Sequence, residues 1–216
     1  RDGSLRRLVF DQDNSWCPTV LANGRVLYLR WEYTDTAHYF ARVLMTMNPD
    51  GTDQQEFYGS NSYWPNSIFY TRALPGSTSK FVGIVTGHHG ISRMGDLVIF
   101  DSAKGRMETD GVVQRIPGFG QPVENVSKDQ LVAGHSPLFL HPYPLDDSLF
   151  LVSVREDEWW CPLFLALADV YDNIIPLWTS PSDNLIEPIP LKPQPRPLLP
   201  KDRLVRLHVS SGTTGQ

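Results

Sequence analysis

The sequence predicts an all-β protein made of repeated four-stranded blades, and three observations carry that prediction. Asp2-Gly3-Ser4 followed by Trp16 recurs as Asp50-Gly51-Thr52 followed by Trp64, an offset of 48 residues. Internal periods of that size mark propeller blades or solenoid units. Short runs rich in β-branched and aromatic residues alternate with Gly, Pro, Asn and Asp turn signals, which is strand and hairpin punctuation. No stretch shows the 3.6-residue apolar period of an amphipathic helix.

The elements follow in order. Asn23-Gly24 opens a hairpin onto a strand ending at Trp31, because this dipeptide accepts the positive φ of the tight turns that suit twisted strands. Residues 39–47 read as the next strand, closed by Asn48-Pro49-Asp50-Gly51, and residues 54–58 as a short outer strand. The order repeats with apolar runs at 80–86 and 96–100 and a turn at 101–105. It repeats again with runs at 149–154 and 163–168 and a turn at Asp172-Asn173. The turns thus fall near 2, 50, 104 and 172, with extra residues in linkers such as 106–129. Four short strands per repeat with drifting loop length favour blades over a rigid solenoid. The expected organisation is a partial propeller of three to four blades over residues 1–186, then a proline-rich strap over 187–203 and an atypical Gly/Ser/Thr tail over 204–216. Six prolines between Glu187 and Pro200 are too many for a regular helix or strand and predict an extended conformation. Because the chain opens on the turn before a last strand, it reads as an excerpt of a longer protein.

Composition narrows the function classes. The chain has 216 residues, 41% hydrophobic and 20% charged, with a net charge of −5, an ordinary globular balance. It has no dense Lys/Arg cluster, and polyanion affinity rests on counterion release, so nucleic acid is not an expected partner. No apolar run approaches the roughly 18 residues of a membrane span. Cys17 and Cys161 form no C-x-x-C or C-x-x-C-H pattern, so neither a zinc knuckle nor covalent haem attachment is encoded in this span. The two cysteines read as separate thiols.

Several specific words carry a resemblance. The Tyr/Leu strand followed by Asn-Pro-Asp-Gly-Thr resembles the blade of TolB-like propellers. Trp16-Cys17-Pro18-Thr19-Val20-Leu21, Tyr63-Trp64-Pro65-Asn66-Ser67, Gly87-His88-His89-Gly90, His141-Pro142-Tyr143-Pro144-Leu145 and Glu187-Pro188-Ile189-Pro190-Leu191 resemble a narrower group, bacterial proteins related to the hydrazine synthase alpha subunit. The resemblance covers roughly residues 1–200. It implies a periplasmic or extracellular location, partnership with further blades and neighbouring domains, and a parent protein carrying c-type haem or a metal. Fold likeness does not fix a reaction. Residues 204–216 resemble the phosphate loop of phenylacetate–coenzyme A ligase-type adenylating enzymes, read as a foreign junction.

Among chemistry-bearing residues, His88 and His89 lie between two glycines just after an apolar strand, where backbone approaches closely. Neighbouring side chains on an extended segment diverge, so a metal site needs one of them with a remote partner. His141, beside Tyr143, is the natural one, since imidazole suits zinc, iron or copper and a phenolate can ligate ferric haem. The plainer reading is that one histidine caps a turn and another bonds a backbone carbonyl. Arg30 and Glu32 flank Trp31, placing both charges on one strand face. They are ligand-contact candidates if that face lines a channel, and a blade-holding ion pair otherwise. Asp146 and Asp147 read as turn-solvating carboxylates, and Trp159-Trp160 as a contact patch. Trp16 and Trp64 read as core residues at equivalent repeat positions. No G-x-S-x-G, H-E-x-x-H or P-loop occurs. The expected function is a non-catalytic scaffold and interaction module. The alternative is a metal- or haem-dependent redox enzyme built on the 87–90 loop and His141.

Overall fold

The computed structural model describes residues 3–11, 13–31, 42–90, 93–156 and 161–191. Glu32, Trp159, Trp160 and the tail at 204–216 lie outside the described residues, as does the strap beyond residue 191.

Twelve strands are described, and they form three four-stranded antiparallel sheets, each an up-and-down meander in chain order. The first sheet holds β1 (Ser15–Val20), β2 (Val26–Trp31), β3 (Arg42–Met47) and β4 (Gln55–Tyr58). The second holds β5 (Ser67–Ala73), β6 (Lys80–Thr86), β7 (Asp96–Asp101) and β8 (Val112–Ile116). The third holds β9 (Leu138–Pro144), β10 (Leu149–Arg155), β11 (Phe164–Asp169) and β12 (Ile174–Trp178). The described residues contain no helix. The all-β prediction therefore stands, and the three sheets are blade-like.

The predicted apolar runs coincide with β6, β7, β10 and β11 to within a residue or two at each end. The third strand is described from Arg42. The stretch at 106–129, expected as a linker, contains β8. It pairs with β7 from Leu97↔Ile116 to Phe100↔Val112, with one register shift, and ladder bonds outweigh the flanking glycines and prolines. Trp16 and Trp64 are not structural equivalents: Trp16 lies within β1, whereas Trp64 precedes β5 and is buried in the core.

Two apolar clusters hold the sheets together. One lies between the first and second sheets around Leu29, Leu44, Tyr58, Trp64, Phe81 and Phe100, and the other between the second and third around Val82, Ile84, Leu97, Phe139, Phe150 and Val154. Phe81 and Phe100 stack with ring centroids 4.9 Å apart and planes 7° apart, and Tyr58 meets both edge-on. Pairs of this kind add about 0.5–1.5 kcal/mol beyond area burial. Because β6 faces one cluster with Phe81 and the other with Val82 and Ile84, it is apolar on both faces, as a strand covered on both sides must be. Carboxylates staple the junctions. Glu108 accepts the backbone N–H groups of Tyr63 and Trp64. Asp172, in the β11–β12 turn, accepts those of Gly118 and Phe119 at 2.8 and 2.7 Å, tying the third sheet to the second.

Candidate functional site

The first strands of the three sheets meet, β5 packing against both β1 and β9. Each carries the same irregularity. The β1–β2 register slips between Trp16 and Thr19, the β5–β6 register between Phe69 and Arg72, and the β9–β10 register between residues paired to Leu140 and Tyr143. A residue in each bulge takes a left-handed backbone: Cys17 at φ 53°, Tyr70 at φ 52° and His141 at φ 50°. Non-glycine residues reach this region at a cost on the order of 1 kcal/mol each. Bulges re-aim side chains, and here they bring Cys17, Tyr70 and His141 around one cleft.

The cleft has a volume of about 470 Å³ and is walled by Trp16, Thr19, Tyr70, Arg72, Arg93 and Glu187, among others. The rings of Tyr70 and His141 meet edge-to-face with centroids 4.2 Å apart. Burial pushes the Cys17 thiol and the Tyr70 phenol up from their ordinary values, so both are neutral at pH 7. Burial pushes His141 down, with Arg72 adding to the effect, so it too is neutral. The described start of the strap runs back over the opening. The backbone N–H of Glu187 donates to Nδ1 of His141 at 3.3 Å, and the Glu187 carboxylate lies 3.9 Å from Nε2. Upstream, Leu163 N–H donates to Asn184 Oδ1 and Leu185 N–H to the Leu163 carbonyl, anchoring this segment on the third sheet.

Arginines and aromatic rings form a second layer. Arg93 stands 5.3 Å over Trp16 and 5.1 Å over Phe69. Arg42 lies 5.2–5.8 Å from Trp16, Trp31 and Phe69, and Trp16 stacks on Trp31 at 5.8 Å. Burial, then the neighbouring Arg93 charge, lowers Arg42 to about 10, which leaves it charged at pH 7. Arg42 donates to Ser67 Oγ and to His88 Nδ1, the latter at 2.6 Å.

The sequence-predicted residues separate among these surroundings. Gly87 is required by close approach: a Cβ there would overlap the Asp129 carbonyl oxygen and lie 2.7 Å from Leu131 N. That approach lets the His88 backbone N–H donate to the Asp129 carbonyl. The His88 ring rests on Trp31 and against His89, and His89 Nδ1 pairs with the Asp129 carboxylate at 3.0 Å. His141 stands instead with Tyr70 and Glu187 in the cleft. Tyr143 carries the Arg72 guanidinium 5.2 Å over its ring. Arg30 pairs with Asp11 at 3.1 Å. Asp146 caps its own turn by accepting from Ser148 and Leu149 N–H groups. Cys17 and Cys161 are not joined in a disulfide. No group of three or more His, Cys, Asp or Glu among the described residues is placed to hold a metal.

Tyr70, Arg72, Arg93, Cys17 and Glu187 were not singled out as site residues by sequence reasoning. The available signal was a residue-proline pair inside an otherwise strand-like run, Cys17-Pro18 and His141-Pro142, since a strand proline marks a bulge or an edge.

No family model matches the chain, and no curated protein matches it. Among solved structures, the chain is similar to Kuenenia stuttgartiensis hydrazine synthase, with a TM-score of 0.49 and 15% identity over 84% of this chain and 23% of that one. This chain therefore spans less than a quarter of that structure's length. At this identity the likeness says nothing about chemistry.

Proposed function

We propose that the chain is a propeller-type scaffold and interaction module, TolB-like in its blades, serving a larger exported protein of the group it resembles in sequence. The observation that carries this reading is the disposition of its histidines. Arg42 occupies Nδ1 of His88, and its positive charge opposes a cation at that ring. Asp129 holds His89, and Glu187 holds His141. The donor set does not fit one metal shared by His88, His89 and His141, and this span offers no thiol pair for haem attachment. Outer strand β12 supports an interaction role: Ile175, Leu177 and Trp178 are 53%, 47% and 66% exposed, and an apolar outer strand is a surface for another domain.

A second reading, metal- or haem-dependent redox chemistry, draws on the neutral imidazole of His141 in a concave site. One experiment separates the two. Metal and haem content is measured for the chain and for variants with His88, His89 and His141 changed to Ala. The scaffold reading expects content that does not respond to the three substitutions. Stoichiometric metal or haem that disappears with them overturns it in favour of the redox reading.

A further inference from the structure

We propose that the cleft at the inner strands binds a small organic carboxylate with an apolar or aromatic body. This goes beyond the scaffold reading, because it assigns a ligand class to a site that a purely architectural module does not need. The cleft falls within the 300–1,000 Å³ typical of ligand sites. Trp16, Pro18, Tyr70 and Ile189 give it apolar and aromatic wall, while Arg72 and Arg93 reach it from β5 and the segment before β7.

Charge selects the ligand. Neither Arg72 nor Arg93 lies within salt-bridge distance of a carboxylate among the described residues. Among the described residues Glu187 is the only carboxylate lining the cleft, so the two guanidiniums there leave one positive charge uncompensated. This occurs in a chain whose net charge is −5. Behind the wall, Arg42 donates to Ser67 and His88 and does not line the cleft. Arg72 and Arg93 are held against aromatic rings, which limits the side-chain freedom lost on binding. A guanidinium so placed keeps an N–H fork for bidentate carboxylate recognition. Glu187 then acts as a charge filter: one net positive charge matches a monoanion, whereas a dianionic phosphate meets repulsion at the rim. A cation is rejected by the arginines, and a neutral analogue leaves them unneutralised.

The test is calorimetric titration of the 216-residue chain with benzoate, with benzamide as the neutral isostere and phenyl phosphate as the dianion. Benzoate is expected to bind at least 10-fold more tightly than benzamide and more tightly than phenyl phosphate. Arg72→Gln and Arg93→Gln should each weaken benzoate at least 10-fold. Lys104→Gln, an equal charge change on an exposed turn, should leave it within 2-fold. Glu187→Gln should narrow the gap between benzoate and phenyl phosphate. Circular dichroism checks folding, and Arg72→Lys and Arg93→Lys, which keep charge but lose the fork, stand in if a Gln variant unfolds; they should weaken benzoate several-fold. The proposal is overturned if benzoate does not bind, if benzamide matches it, or if folded arginine variants bind benzoate as the parent chain does.

Discussion

The central pair β6–β7 and the inner strands β1, β5 and β9 belong to the same folding unit but obey different rules. Strands β6 and β7 run in unbroken register from Lys80↔Asp101 to Val85↔Asp96 and are apolar throughout their interior. Each inner strand is interrupted by a bulge whose residue takes a positive φ, and each bulge faces the cleft. Regularity is where burial is greatest, and irregularity is where side chains must be turned toward a shared opening. Cys17, Tyr70, Arg93, His141 and Glu187 place strained backbone around the cleft, while Asp53, Asn61, Glu108, Phe119 and Asp172 carry it in turns elsewhere, and the regular core strands between them supply the stability.

Breaking the regular side should have the largest effect. Phe81→Ala removes a fully buried ring from its stack with Phe100 and should cost about 3–5 kcal/mol, read as a lower denaturant midpoint in equilibrium unfolding. Gly87→Ala attacks the boundary between the regions. Its Cβ meets the backbone at 129–131, so about 1–3 kcal/mol should be lost. Increased amide exchange should be confined to that loop and the residues after β6. Asp172→Asn keeps a side chain suited to the left-handed turn but loses a charged acceptor for Gly118 and Phe119. About 1–2 kcal/mol should go, with β8 and the β11–β12 turn loosening together in hydrogen exchange.

The smallest effects sharpen the comparison through pH. Hydrogen bonding to Asp96 raises His135 above 6.5, so its folded-state advantage is full below the unfolded value and is lost as pH rises through the raised one. Burial lowers His141 below 6.5. There the unfolded chain protonates first, and stability falls as pH drops below about 6.5 until the folded value is reached. Asp96→Asn should therefore flatten the alkaline side of the stability profile and His141→Gln the acid side, measured as denaturant midpoints from pH 5 to 8.5.

The regular half of the molecule was legible in the sequence because its chemistry is local. Continuous apolar runs announced β6, β7, β10 and β11, and Asn23-Gly24 announced β2. The inner strands were harder. Pro142 sits in the β9 bulge and Pro18 in the β1 bulge, where the ladder slips. The missing N–H costs nothing there, although proline argues against a strand when read along the chain. Strand β12 hides Pro176 in the same way, on an outer strand with a slipped register. The candidate histidines were legible as residues but not as a group, because their partners Arg42, Asp129 and Glu187 lie 40–46 positions away. The 48-residue repeat fell on two glycines of positive φ, Gly3 and Gly51, the second in the turn after β3. It could not reveal the bulge positions, which recur with different spacing.

Nuclear Overhauser spectroscopy on ring-labelled Tyr and His reads the convergence of these bulges on one cleft at the β5–β9 contact. With centroids 4.2 Å apart, the Tyr70 and His141 ring protons should give strong cross-peaks that vanish in Tyr70→Leu. Absence of any cross-peak between these rings in the folded chain would contradict the account, because β5 and β9 would then not share the cleft.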